Sequence, residues 1–536
     1  MGGEARDLLL LYVLGLIVNG AVALLVRDPG YLDATYYLNG GVALAEGRGF
    51  SAPYIWNYVG APAALPAPSF TYWQPLPALL SALGIVLFGR WMPAFDAAQM
   101  VFMLLGAALP LLSYAAAVQI GQRRHALLAG LLTVFGGYYV VYWSLPESFT
   151  PFALSGAGAL ILAGTGRASR RWWAWLLAGA CAGLAHLARA DGLLLAGVVA
   201  LSALLAWGQQ PAPRLRARLG WAGLATAGYL LVMAPWFARN LAAFGSVQAP
   251  GGLSTLWMVE YNDLFRYPSD LTPARFFAAG AVAILRARGQ ALLGNLATFT
   301  GVHNMVFLLP LTLIGAWQRR RDARLLPALL YAPLLFAAMT FAFALPGLRG
   351  GWLHSGAALV PLVTALAVVG LDHAIGWAAR RRGWRAGEAW QVFAVASVLI
   401  AAAVTAFVML TRVVGTDNPR AIAWNQGGAV YRKIGAALDA IDAPQDALVM
   451  SNNPPGLYLR AGRGGVPIPA GPEAMLLRAA DDYGVTLLVI DHNIPPELES
   501  FYWLGPASDR FVLLGTYGSS EAPIYLYRIL PPAPPA

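Results

Sequence analysis

Charge is scarce in this chain. Of 536 residues only 12% are Asp, Glu, Lys or Arg, while 58% are hydrophobic. A soluble domain carries about 25% charged residues, so a water-soluble globular protein is excluded and a polytopic membrane protein is expected. Cysteine is nearly missing as well: Cys181 is the one thiol and lies in an apolar run, which rules out an internal disulfide and suggests no thiolate metal cluster. Nor is there a G-x-x-x-x-G-K-[ST] loop or an H-E-x-x-H helix, and Gly462-Arg463-Gly464-Gly465 lacks the spacing of a dinucleotide fingerprint. Those absences argue against ATP hydrolysis, zinc peptidase activity and NAD chemistry. The net charge of +10 would suit nucleic acid, but most arginines sit in short loops between apolar segments. That placement reads as orientation in a bilayer, with no nucleic-acid partner.

Apolar runs are what the chain has in abundance. A span needs roughly 20 apolar residues, and candidates are 8–26, 97–120, 126–143, 149–163, 172–187, 193–207, 221–237, 299–317, 325–345, 353–377 and 390–410. The first has no A-x-A site after it and is too long for a signal peptide, so it reads as an uncleaved span. Arg123/Arg124, Arg167/Arg170/Arg171, Arg214/Arg216/Arg218, Arg319/Arg320/Arg321 and Arg380/Arg381/Arg382 fall in every second loop. Placing them in the cytoplasm puts the N-terminus inside and the C-terminus outside, with about 11 spans. Residues 76–88, short and preceded by Pro75, read as re-entrant or interfacial; two short crossings there give 13.

Three large outer segments result: 27–75, 238–298 and the tail, 412–536. In the second, 273–296 is amphipathic with Arg275, Arg286 and Arg288, as for a helix lying on the membrane surface. Composition changes sharply at Thr411. Beyond it 447–450, 485–490, 511–514 and 524–527 are strand-like and 472–483 has a helical pattern, so the tail is expected to be a small soluble α/β domain. Its proline-rich end, 531–535, is expected to be frayed. No internal repeat of 20–50 residues is present.

Ionisable residues at the outer ends of spans are few and costly, so each is informative. Asp33 follows the first span, with Tyr36 and Tyr37 three and four residues on. It suits a general base taking a proton from an acceptor hydroxyl or amine, and equally the N-cap of a helix over 34–46. Glu147 lies in the short outer turn 144–148, on the side of Asp33; it is a second carboxylate to orient an acceptor or hold a metal, or a helix-start carboxylate favoured by the macrodipole. One or two carboxylates define no metal site, so no cofactor is assigned and a divalent metal is left open. Arg189 and Asp191 form an outer turn that reads as a local ion pair, or as a phosphate site using the guanidinium fork. Arg239, in Pro235-Trp236-Phe237-Ala238-Arg239-Asn240, either snorkels to lipid headgroups or holds a phosphate at that depth. His354 and Arg349 open a late span from the outside and are comparable ligands for phosphate or acceptor. Trp73, in Tyr72-Trp73-Gln74-Pro75-Leu76-Pro77, fits an interfacial aromatic belt or a groove wall.

Taken in order, these features resemble the GT-C fold, polyprenyl-phosphate-dependent membrane glycosyltransferases, similar to protein O-mannosyltransferases and aminoarabinose transferases. The likeness covers roughly 8–377. It rests on D-x-x-Y-Y…L-A-x-G-x-G-F (Asp33, Tyr36, Tyr37, Leu44, Ala45, Gly47, Gly49, Phe50), on Trp73-Gln74-Pro75-Leu76-Pro77, on Glu147, and on Pro235-Trp236…Arg239-Asn240…Phe244-Gly245. It implies Asp33 as catalytic base, a cavity open to the outer face, a sugar donor on a polyprenyl phosphate, inversion at the anomeric carbon, and Arg239 near the donor phosphate. Two departures bear on substrate identity. Asp33 is followed by Ala34 where the family commonly has Asp-Glu, and Trp73-Gln74-Pro75 stands where aminoarabinose transferases tend to have Lys-Pro-Pro.

The expected architecture is thus an all-α membrane domain over 1–411 with an extracytoplasmic α/β domain over 412–536, in the cell (inner) membrane. The expected partners are a lipid-linked sugar, a glycan, lipid or protein acceptor, and the bilayer. The competing expectation is a polytopic transporter or lipid flippase, whose charges would line a pathway; the lack of a matching second half speaks against it.

Overall fold

The computed structural model describes residues 2–415, 421–518 and 521–532. Seven helices are long and apolar enough to cross a bilayer: Gly3–Leu25, Ala94–Ile120, Phe149–Ser169, Leu215–Phe244, Ala323–Ala342, Ala344–Arg382 and Ala386–Val414. Leu76–Phe88, Trp172–Ala188 and Gly192–Leu204 are shorter apolar helices beside them. The chain is a multi-pass membrane protein.

Where two helices touch, small residues permit it. A Cβ on Gly179 would lie 1.8 Å from the Ala225 carbonyl, and one on Gly228 would lie 2.0 Å from that of Leu176. Helices Trp172–Ala188 and Leu215–Phe244 therefore meet backbone to backbone, as membrane helices do when lipid supplies no hydrophobic drive to associate.

The arginine loops gather on one face, with the N-terminus. Arg123 pairs with Asp7 and Arg124 with Asp372, each at 2.8 Å. Arg167 turns its guanidinium onto the carbonyls of Ser202, Leu205, Trp207 and Ala323, tying three loops together. Arg170 donates to Pro211 O at 2.7 Å.

Several spans are more broken than the sequence suggests. The expected span 97–120 lies within Ala94–Ile120, which carries one turn at Ala107–Ala108, just before Pro110, between Ala94–Gly106 and Leu109–Ile120. The expected span 299–317 divides into a π-helical end, Phe299–His303, on helix Gly280–Thr298, and a separate helix Leu309–Arg319 with Pro310 in its first turn. Residues 338–342 and 347–351 are also π-wound, with Gly350 at φ 137°. Local widening of this kind is common at functional sites. Helix Gly280–Thr298 leaves Val282, Leu285 and Leu293 exposed.

After the first span, helix Leu32–Ala45 lies over Leu76–Phe88: Gly41 meets Ser81, and Gly40 meets Phe70 and Ala78. The latter helix is 13 residues long, or about 20 Å, short of a hydrocarbon core of about 30 Å.

The tail builds a five-stranded sheet. Gly465–Pro467, Val449–Ser451 and Leu487–Ile490 run parallel, and Pro523–Ile529 and Phe511–Gly518 continue it antiparallel, in that spatial order. Helices Ala429–Ala440, Pro454–Ala461 and Glu473–Tyr483 cover it. The strand Gly465–Pro467 has no counterpart in the sequence reading. Of the proline-rich end, residues 533–536 lie outside the described residues.

Candidate functional site

The ends of the spans remote from the arginine loops surround one cavity of about 650 Å³. Asp33, Tyr37, Trp73, Arg189, Asp191, Arg349 and His354 all line it, although they come from four separate stretches of chain. Much of the remaining wall is apolar or aromatic, with Leu193, Leu194, Met233, Leu335, Met339 and Phe343 among it. Large, mostly apolar hollows with a few convergent polar groups are where ligands bind.

Asp33 sits in the first turn of helix Leu32–Ala45, whose N-cap is Tyr31, so it is not the cap residue. Its carboxylate is half-buried, and no side chain among the described residues hydrogen-bonds to it. Glu147 and His354 lie behind it, each of the three bringing one ligand atom to within 4.8 Å of the others. Burial, with the Glu147 charge adding to it, pushes the Asp33 carboxyl up to about 6; His354 and Arg189 oppose the rise.

Glu147 is 1% exposed and does not line the cavity. It precedes helix Phe149–Ser169, accepting hydrogen bonds from the Phe149 amide at 3.0 Å and the Ser148 hydroxyl at 2.9 Å. Its Oε1 is 3.3 Å from Nδ1 of His354. Burial raises the Glu147 carboxyl, but the contact with His354, Arg189 and the backbone outweighs it, and the group stays below its ordinary value. The His354 ring stacks on Phe149 at 3.9 Å and meets Ser148 Oγ at 3.1 Å.

Arg189 and Asp191 form the expected local ion pair, at 3.2 Å. Ser355 joins both: it accepts from Arg189 Nε at 3.1 Å and donates to Asp191 Oδ2. Arg349 has no carboxylate partner among the described residues; its guanidinium lies 4.8 Å from the Tyr261 ring centre. Trp73 stacks on Trp56 at 4.2 Å and lies tilted against Tyr37, 5.8 Å away. Tyr36 turns away from the cavity, its hydroxyl accepting from the Phe70 amide at 2.8 Å.

Arg239 is placed elsewhere. It does not line the cavity, although its neighbour Asn240 does. Its guanidinium donates to Ser69 O at 2.7 Å and Asn240 Oδ1 at 3.1 Å, among the rings of Phe50, Trp236 and Phe244. The geometry makes it a brace between the loop 27–75 and helix Leu215–Phe244. The cations that face the hollow are Arg189 and Arg349.

Sequence reasoning did not single out Trp56, Tyr261 or Ser355. Ser355 was legible as the neighbour of His354; Trp56 and Tyr261 lie in long loops without periodicity and offered no signal.

No protein-family model matches the chain, and no curated protein does. Solved structures match it by fold. The Archaeal oligosaccharyltransferase AglB from Archaeoglobus fulgidus, in complex with an inhibitory peptide and a dolichol-phosphate, is 15% identical with a TM-score of 0.58, over 92% of this chain and 70% of that one. ArnT from Cupriavidus metallidurans bound to undecaprenyl phosphate is 16% identical with a TM-score of 0.55, over 97% of each chain. An Archaeoglobus fulgidus oligosaccharyltransferase in complex with Zn and sulfate gives 16% and 0.55, over 90% and 68%. The chain has the fold of these membrane glycosyltransferases, the GT-C fold that the sequence features suggest.

Proposed function

We propose that the protein is an integral-membrane glycosyltransferase that moves a sugar from a polyprenyl-phosphate carrier to an acceptor, with Asp33 as general base. The observation that carries this reading is the convergence of one unpartnered carboxylate and two arginines on a single, largely apolar hollow. The fold shared with proteins solved with dolichol-phosphate and undecaprenyl phosphate supports it.

In the reaction, Asp33 takes the proton of an acceptor hydroxyl or amine as that atom attacks the anomeric carbon. The bond from carbon to phosphate oxygen breaks, and the polyprenyl phosphate leaves with the electron pair. Attack opposite the leaving phosphate inverts the anomeric centre. A carboxyl at about 6 is mostly ionised at neutral pH yet basic enough to accept a proton, which is the compromise general-base catalysis favours. Arg189 and Arg349 face the phosphate, where fixed cations in a dry site stabilise developing charge. Glu147 does not meet substrate; it sets the environment of Asp33 and holds His354.

Asp33, Glu147 and His354 form an O,O,N donor set that suits Zn²⁺ or Mn²⁺. The zinc in a protein of this fold supports that fit. Such an ion, when bound, would supply Lewis-acid stabilisation of the departing phosphate and would hold the Asp33 carboxyl below its value in the metal-free site.

The arginine face is the cytoplasmic one by the positive-inside rule. The cavity and the tail then face outward from the cell membrane. The test is transfer from labelled undecaprenyl-phosphate-linked hexoses and pentoses to glycan, lipid and peptide acceptors by purified protein, wild type against Asp33→Asn. Transfer that disappears in a folded variant supports the reading. Absence of transfer from every donor, with uptake of those lipids across vesicles, overturns it in favour of a transporter.

A further inference from the structure

The tail is not merely appended to the membrane body. Its sheet ends at Gly465–Pro467, and the first outer loop extends that edge: Tyr54 bridges Gly465 in parallel register. The Ile55 amide donates to Gly465 O and the Gly465 amide to Pro53 O, both at 3.1 Å. Three residues on, the buried Tyr58 hydroxyl donates to Pro467 O at 2.6 Å. Ile55 and Tyr58 belong to the same hydrophobic cluster as Met450, Val466, Ile468 and Leu488 of the tail. A piece of the first loop is thus built into the core of the second domain. The second outer loop is held by the same edge, with the Ala470 amide donating to Phe265 O at 2.8 Å and the Tyr58 amide to Leu264 O at 3.0 Å.

Between the two anchored residues Ile55 and Tyr58 lies Trp56, which faces the cavity. Its ring is stacked 4.2 Å from Trp73 at 13°, and Trp73 lies 5.8 Å from Tyr37. Tyr37 is 1% exposed and stands one helical turn after Asp33, on the same side of the helix. An unbroken run of contacts therefore joins the tail sheet to the turn that carries the carboxylate.

We propose that the C-terminal domain is the positioning element of the site. Through the bridged segment 53–55 and the Tyr58 hydroxyl it fixes Trp56, and through the Trp56–Trp73–Tyr37 ring contacts it fixes the helix turn bearing Asp33. Tyr58 and Trp56 are positioning residues. This rests on the glycosyltransferase reading for its chemical consequence and on the contacts alone for its mechanical one. Displacement of a reacting group by about 1 Å costs about a hundred-fold in rate, so a loosened roof would act on turnover before it acts on binding.

The experiment is hydrogen–deuterium exchange on the full chain in lipid nanodiscs, following the amides of residues 35–41, with transfer kinetics on the same samples. Loss of one buried hydrogen bond in Tyr58→Phe is expected to speed exchange at 35–41 roughly five-fold. It should lower kcat roughly ten-fold, with KM for the undecaprenyl-phosphate donor within two-fold of wild type. Trp56→Leu should do the same, with Trp56→Phe falling between it and wild type in both readouts, while Trp503→Ala, an exposed change in the same domain, should leave both as in wild type. Wild-type exchange at 35–41 in Tyr58→Phe and Trp56→Leu overturns the proposal, as does faster exchange spread evenly through the tail sheet. Lack of transfer by the wild-type protein would sink the enzymatic reading alone, and the exchange result would still decide the mechanical link.

Discussion

Two half-buried polar clusters stand at the same ends of the spans, and they differ in one respect. Around Arg239 the side chain is satisfied: two hydrogen-bond acceptors and three aromatic faces meet the guanidinium. Around Asp33 the carboxylate faces open volume, with a second carboxylate and a histidine behind it. A satisfied buried charge stabilises a fold, whereas an unsatisfied one beside a hollow is held ready for a ligand or a proton. The contrast teaches that position relative to the membrane is not enough to assign a role; the state of the group's partners decides.

The sharpest way to break the contrast is Asp33→Asn, which keeps shape and removes basicity. Transfer should fall by about 10² to 10⁴-fold, with an unchanged unfolding temperature. Retention of activity would remove Asp33 from the chemistry. Glu147→Gln should reduce transfer by roughly ten- to a hundred-fold, as loss of a supporting group does, and should also move the pH profile. In the proposed reaction Asp33 can act as base only when deprotonated, so wild-type kcat/KM should fall as pH drops through about 6. Removing the neighbouring negative charge lowers the Asp33 carboxyl, so the acid limb of the variant should lie at lower pH. A limb at wild-type pH would show that Glu147 does not act on Asp33.

Arg349→Met tests the cavity cations. With Arg189 still in place the loss should be about ten-fold in kcat, read by single-turnover transfer. The smallest change in activity is expected for Arg239→Met. Its kcat/KM should stay within about three-fold, while stability drops by about 1–3 kcal/mol from the orphaned Ser69 carbonyl and the lost ring contacts. A large loss of transfer with intact stability would reverse the contrast and return Arg239 to the donor site.

Much of this molecule can be read from its sequence, and the limits have physical reasons. The apolar runs report burial in lipid directly, and the arginine loops do assemble on one face, because both signals are local. The turn at Ala107–Ala108 and the break after His303 escape such reading, since a helix interrupted inside protein keeps the same hydropathy. Asp33 is conspicuous as a lone acid after the first span, but its company is not: Glu147 and His354 are far away in the chain, and only the packing of helix Leu32–Ala45 beside residues 140–145 brings them together. Arg239 has the right depth and chemistry for a phosphate, and nothing in its neighbours' identities says that a carbonyl in the first loop has already claimed it. The strand Gly465–Pro467 is three residues long and contains a glycine and a proline, so no alternation could mark it.

Arg167 has a further consequence. One planar cation knots the ends of three helical hairpins on the arginine face, while the opposite ends of neighbouring spans are wound loosely as π-turns around the hollow. The body is a sheaf bound at its base, and under the proposed function lipid and product would pass between the free tips around the hollow.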